Sequence, residues 1–241
     1  MNISAVSEGG HGPDSPKKLV ERGYDKIASQ YLEWTTSQPS SRPKYLQVLL
    51  EHLPNQSRVL ELGCGAGVPG TQILDAHHKV IANDISAAQI ELAKKLVPGA
   101  SFIQGDMMSL DFPQRSFEAV VAFYSIIHLP REEQKILFTR IFEWLEDDGY
   151  FLTNLGTTDN SGVLNPDWLG SSMYWSSFDA STNKRIIQQA GFEVLQAEIV
   201  AEEEDGKLVP FLWVLAKKSK EVFENSLVTG KTENTDGKVT E

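Results

Sequence analysis

Hydrophobic and polar positions along the chain follow two periodicities in turn. Over residues 17–33, Leu19, Val20, Tyr24, Ile27, Ala28 and Tyr31 recur at helical spacing, and a second helical stretch follows Pro43 with Leu46, Val48, Leu49, Leu50 and Leu53. Short apolar runs then predict five strands, at residues 58–62, 79–83, 101–104, 117–124 and 149–155. Helices are predicted between them: one to about His77, one capped by Ser86 with Ile90, Leu92, Ala93 and Leu96 on a face, and one from Pro130 to Leu145. Strands separated by helices imply a parallel, doubly wound sheet, because each crossover needs a helix to cover the sheet. Residues 192–201 and 208–217 are joined only by the acidic stretch 202–207, a hairpin length, so the last strand is expected antiparallel to its neighbours. The acidic turn reads as a solvated loop. A single domain over residues 17–217 is expected, with a helical cap at 17–56 and an insertion at 156–178; the polar segments 1–16 and 218–241 read as disordered tails.

Charge narrows the partners. Asp and Glu number 33 against 22 Lys and Arg, a formal charge of −11 among 241 residues, which argues against a nucleic-acid surface. Small neutral or cationic partners fit better. The one cysteine, Cys64, excludes a disulfide framework and a cysteine-based zinc site, and no metal is expected. No run approaches the roughly 18 apolar residues of a membrane span. The amino terminus lacks the features of a secretory or transit peptide, so a cytoplasmic protein without a membrane partner is expected, as monomer or homodimer.

Candidate chemistry gathers at three successive strand ends. The first strand runs into Gly63-Cys64-Gly65-Ala66-Gly67-Val68-Pro69-Gly70, a turn that offers backbone N–H groups and a helix start to a polar ligand. Asp84 ends the second strand 21 residues after Gly63, where a carboxylate can accept from both hydroxyls of a ribose. Asp106 ends the third, beside the same crevice, where it can accept from an adenine amine. Together these point to a nucleoside cofactor. Residues 65–70 also satisfy the G-x-G-x-x-G dinucleotide pattern, so NAD(P) and an oxidoreductase stay open on spacing alone, although more than fifty residues precede the loop.

Val59-Leu60-Glu61-Leu62-Gly63-Cys64-Gly65-Ala66-Gly67, then Ala82-Asn83-Asp84-Ile85-Ser86 and Gly105-Asp106-Met107, resemble the class I S-adenosylmethionine-dependent methyltransferases, in the small-molecule branch related to ubiquinone-type enzymes. The resemblance covers about residues 24–217 and implies a Rossmann-like, seven-stranded α/β sheet, mostly parallel with an antiparallel carboxyl-terminal hairpin strand. It implies S-adenosylmethionine as cofactor and S-adenosylhomocysteine as product. Glu61 before the glycines is a feature of the family. Gly63, Gly65 and Gly67 would line the methionine and ribose, with Cys64 a small packing residue in the loop. Asp84 would hold the ribose hydroxyls, with Ile85 against the adenine. Asp106 and Met107 would meet the adenine edge and face, and Phe123 would pass near the sulfonium. A fold of this kind that binds the cofactor for a non-methylating reaction is a further alternative.

An activated methyl donor leaves the protein mainly to align the acceptor, and only a weakly acidic acceptor gains much from a base. His128, between the fourth strand and the Pro130 helix, is the candidate base. His11, His77 and His78 are not. The acceptor pocket is expected from what the bare fold lacks: Tyr24, Tyr31 and Trp34 on the first helix, Tyr124 beside the fourth strand, and Trp168, Met173, Tyr174 and Trp175 in the insertion. These rings imply an apolar or aromatic small molecule, methylated on O, N, S or C, in specialised metabolism or detoxification.

Overall fold

The computed structural model describes residues 15–204 and 206–219. The expected tails lie mostly outside these residues, but both inner boundaries move. Ser15 caps the first helix, α1 (Pro16–Ser37), its hydroxyl accepting from the Lys18 N–H, and Pro16 sits in the first turn, where its missing N–H costs nothing. At the other end Lys218 still belongs to the last strand, where its ammonium donates to the Leu145 carbonyl.

After α1 come α2 (Arg42–Leu50), β1 (Arg58–Leu62), α3 (Gly70–Asp75), β2 (Lys79–Asp84), α4 (Ala87–Leu96), β3 (Ser101–Gln104) and β4 (Phe117–Ala122). They are followed by α5 (Arg131–Trp144), β5 (Leu145–Gly156), β6 (Asn160–Trp168), β7 (Ser171–Ser177), α6 (Ala180–Gln189), β8 (Phe192–Glu204) and β9 (Lys207–Lys218). The main sheet has seven strands in the order β3-β2-β1-β4-β5-β9-β8, with β1 to β5 parallel and β9 antiparallel to both neighbours. The expected class holds: a mostly parallel seven-stranded sheet closed by an antiparallel strand.

Alternation along β1 and β4 divides the core. Leu60, Leu62, Val120 and Ala122 face Leu137, Phe138 and Ile141 of α5, while Val59, Ala119 and Val121 face Tyr45, Leu46 and Leu49 of α2 and Leu74 of α3. Tyr45 stacks on Trp213 of β9 with centroids 4.2 Å apart, so α2 is fastened to the antiparallel edge.

Three elements differ from expectation. The α3 helix stops at Asp75, short of His77. The insertion is no loop: β6 and β7 pair as an antiparallel two-stranded sheet, and Met173 and Tyr174 of β7 pack with Val20 and Ile27 under α1. The α6 helix was not foreseen; Asp179 caps it by accepting from the N–H groups of Ser181 and Thr182.

Candidate functional site

The glycine loop leaves the carboxyl end of β1 and turns sharply. Gly63 and Gly65 have φ of +74° and +56°, conformations that side chains strain. A Cβ on Gly63 would stand 2.2 Å from the Ser125 Cβ, so the loop is pressed against the end of β4. The N–H groups of Gly63 and Cys64 both donate to the Asn83 carbonyl at 2.8 and 2.9 Å, which ties the loop to β2. Gly67 is a correction: it is not on the cleft wall, and its missing Cβ instead admits Val97 and Thr71.

Asp84 closes the loop from the other side. Its two oxygens accept from the Gly65 N–H at 2.8 Å and the Ser86 N–H at 2.9 Å. Each oxygen keeps a lone pair free, so the carboxylate can still receive two hydroxyls. Burial pushes its pKa up to about 6, against the downward pull of these N–H donors. Glu61 is buried on the same wall and accepts from the Thr71 hydroxyl at 2.5 Å; burial pushes it up to about 7, opposed by Thr71 and by the Arg42 guanidinium. Asp106 accepts from the Met108 N–H, and its other oxygen pairs with Lys17 at 2.6 Å.

Two cavities meet at this sheet edge. One, a cleft of about 80 Å³, runs over Glu61, Gly63, Cys64, Gly65, Asp84, Ile85, Asp106, Met107 and Phe123. Nine of the ten residues expected to hold a cofactor therefore share one wall, Gly67 being the exception. The cleft is narrow because α1 lies across it. Lys17 bridges Asp106 and Glu133, Asp25 accepts from the Ser86 hydroxyl and the Ala88 N–H, and Lys26 donates to the Gly170 carbonyl.

The second cavity, a chamber of about 320 Å³, is lined by Tyr24, Tyr31, Trp34, Tyr124, His128, Trp168 and Trp175, seven of the residues expected at an acceptor pocket. Met173 and Tyr174 do not line it. Both are spent instead on packing against Val20 and Ile27 of α1. Tyr24, Tyr31, Thr35, Arg42, Tyr124 and His128 line both cavities and form the wall between them.

His128 ends a short 3-10 turn and is buried. Its Nδ1 lies 2.7 Å from the Tyr174 carbonyl, which can only accept, so that nitrogen carries the proton and Nε2 accepts from the Tyr24 hydroxyl at 2.9 Å. Burial pulls the imidazole pKa down to about 4, with the Tyr174 carbonyl opposing, so the ring is neutral near pH 7. Tyr124 holds an unusual φ of +55°, its N–H donating to the Asn154 side-chain oxygen, and this turns its ring onto the wall. Burial keeps the phenols of Tyr24 and Tyr124 protonated by raising both pKa values.

Two contributions were missed. Arg42, whose guanidinium stands 4.3 Å from the Tyr124 ring centre, lies in a helix-starting Ser-Arg-Pro with no chemical signature. The acidic stretch expected to be solvated runs on as strand β8 as far as Glu204, and Glu202, Glu203 and Glu204 line the chamber.

Residues 59–149 match the family model described as a methyltransferase domain. The seven-stranded sheet has the fold of the class I, S-adenosylmethionine-dependent methyltransferases. The protein is 30% identical over 185 residues to a sterol 24-C-methyltransferase of Aspergillus fumigatus, a match covering 66% of this chain and 45% of that protein. The chain spans about half the length of the curated relatives it matches. Among solved structures, the domain is similar to the 1,6-didemethyltoxoflavin N1-methyltransferase of Burkholderia thailandensis (TM-score 0.66, 18% identity, 87% of this chain and 92% of that one). It is also similar to the [4+2]-cyclase SpnF (TM-score 0.64, 17% identity, 83% and 94%). No helix among the described residues is long and apolar enough to cross a membrane.

The wall of the domain suits the cofactor of its fold. Glycines at positive φ leave the loop backbone open, Asp84 retains free lone pairs, and Glu61 and Arg42 offer opposite charges to an amino-acid end.

Proposed function

We propose that the protein transfers a methyl group from S-adenosylmethionine to an apolar or aromatic small molecule held in the aromatic chamber. The observation that carries this reading is the shared wall: six residues line both the glycine-loop cleft and the chamber, so a donor in one abuts an acceptor in the other. The cofactor supplies a methyl group on a sulfonium, already activated for displacement, so the protein's task is alignment and exclusion of water.

Asp84 binds the ribose hydroxyls, Asp106 and Met107 the adenine, and Arg42 with Glu61 the amino-acid end. When the acceptor is a hydroxyl or a similar weak acid, its proton passes to the Tyr24 oxygen as Tyr24 gives its own to His128 Nε2. An imidazole held near pKa 4 is a weak base, so this pair suits a proton that leaves only as the new bond forms.

The likeness to a sterol methyltransferase and to a toxoflavin-precursor methyltransferase supports a small-molecule acceptor. Calorimetric titration with S-adenosylmethionine, S-adenosylhomocysteine and NADPH in parallel tests the reading. Binding of the two adenosyl-sulfur compounds alone is expected; binding of NADPH alone would overturn it. Homocysteine-adduct release with a metabolite extract then separates methyl transfer from a non-methylating reaction, which the SpnF likeness makes a real comparison.

A further inference from the structure

We propose that the acceptor carries a protonatable nitrogen, its ammonium lodged against Glu202 and its apolar body between the tryptophans of the chamber. This rests on the methyltransferase reading and names its substrate class.

The chamber is both aromatic and acidic. Trp168 stands edge-on to Trp175 and Trp34, with centroids 5.5 and 5.9 Å away at 90° and 78°, so the rings meet as the walls of a box. Aromatic faces set around a cavity attract a cation by their quadrupoles. Formal charges on the lining are three glutamates, at 202, 203 and 204, against the single guanidinium of Arg42. His128 adds no charge near neutral pH, since burial holds its pKa near 4.

Glu202 is the decisive group. One of its oxygens, Oε2, accepts a short hydrogen bond from the Tyr124 hydroxyl, which fixes the carboxylate on the wall. The other, Oε1, is shielded from solvent and has no hydrogen-bond partner among the described residues. A shielded carboxylate oxygen without a donor is costly, and an ammonium N–H supplies both the hydrogen bond and the opposite charge. A neutral hydroxyl can supply the hydrogen bond but not the opposite charge, and an anionic acceptor is repelled.

The test uses 4-phenylbutylamine, 4-phenylbutanol and 4-phenylbutyrate, three probes of one skeleton, titrated into the full chain saturated with S-adenosylhomocysteine. Tryptophan fluorescence is the readout, because three of the five tryptophans line the chamber. The amine is expected to bind at least about tenfold more tightly than the alcohol, and the carboxylate weakest, the order that a desolvated charge pair imposes. In Glu202→Gln the preference for amine over alcohol is expected to fall to within about twofold, with S-adenosylhomocysteine affinity unchanged. In Tyr124→Phe, which keeps the charge, the preference is expected to persist. Equal binding of amine and alcohol by the wild type overturns the proposal whether or not the variants fold, and so does a preference that survives Glu202→Gln. Failure to bind S-adenosylhomocysteine at all overturns the underlying reading instead.

Discussion

Replacing Glu61 with Gln removes a buried charge that the ligand-free fold holds at a cost. In the folded protein its pKa stands near 7, against 4.5 when the carboxyl is free in water, so the native state holds this proton more tightly than the unfolded chain. Between those two pH values the native state carries up to one proton more. Its stability therefore falls as pH rises through the window, at about 1.4 kcal/mol per unit, for a total of about 3 kcal/mol. Asp84, raised from 3.8 to about 6, acts in the same direction. His128, lowered from 6.5 to about 4, acts in the opposite one: the unfolded chain binds its proton more tightly, so this group adds stability as pH rises. Both remain in the variant, and the difference between the two proteins isolates Glu61. The Gln side-chain oxygen can still accept from Thr71, but its amide N–H groups lack an evident acceptor, an offset of about 1 kcal/mol. At pH 8 the ligand-free variant should be more stable by about 2 kcal/mol, a rise of about 4–8 °C in Tm for a domain of this size. The advantage should vanish by pH 5. Urea or thermal denaturation of both proteins, ligand-free, at half-unit steps from pH 5 to 8 measures it. Parallel stability profiles, or a variant less stable at pH 8, would refute the reasoning.

Other outcomes follow from single contacts. Gly63→Ala forces a Cβ to 2.2 Å from the Ser125 Cβ at φ of +74°; a loss of at least about 2 kcal/mol in stability is expected by denaturant titration, with weaker S-adenosylhomocysteine binding by calorimetry. Tyr24→Phe keeps the ring but deletes the hydroxyl that donates to His128; turnover of a weakly acidic acceptor should fall by about 10²–10⁴, with S-adenosylhomocysteine affinity nearly unchanged. Lys17→Met frees α1 from Asp106 and Glu133, so stopped-flow fluorescence should show faster association and faster release of S-adenosylhomocysteine; unchanged rates would mean that α1 does not gate the cleft.

What the chain carries locally was legible before any coordinates. Apolar runs of strand length, the glycine turn, and the aspartates at the ends of β2 and β3 are each fixed by nearest neighbours in sequence. A doubly wound sheet then brings successive strand ends to one edge, so Gly63, Asp84 and Asp106 had to share a crevice. The sequence could not assign jobs among residues of the same chemical type. Met173 and Tyr174 carry the same apolar chemistry as Trp168 and Trp175, and only the docking of β7 under α1 decided which pair is packing and which lines the chamber. Glu202 looked like a solvated turn because a carboxylate in isolation prefers water. Its place on the chamber wall depends on β8 running past the hairpin's apolar part and on Tyr124, 78 residues earlier, meeting it with a hydroxyl. Arg42 reaches both cavities only because α2 is stacked on Trp213 through Tyr45. Local sequence sets backbone conformation and hydrophobic faces; which polar atoms meet across the chain is decided by how those faces are buried together.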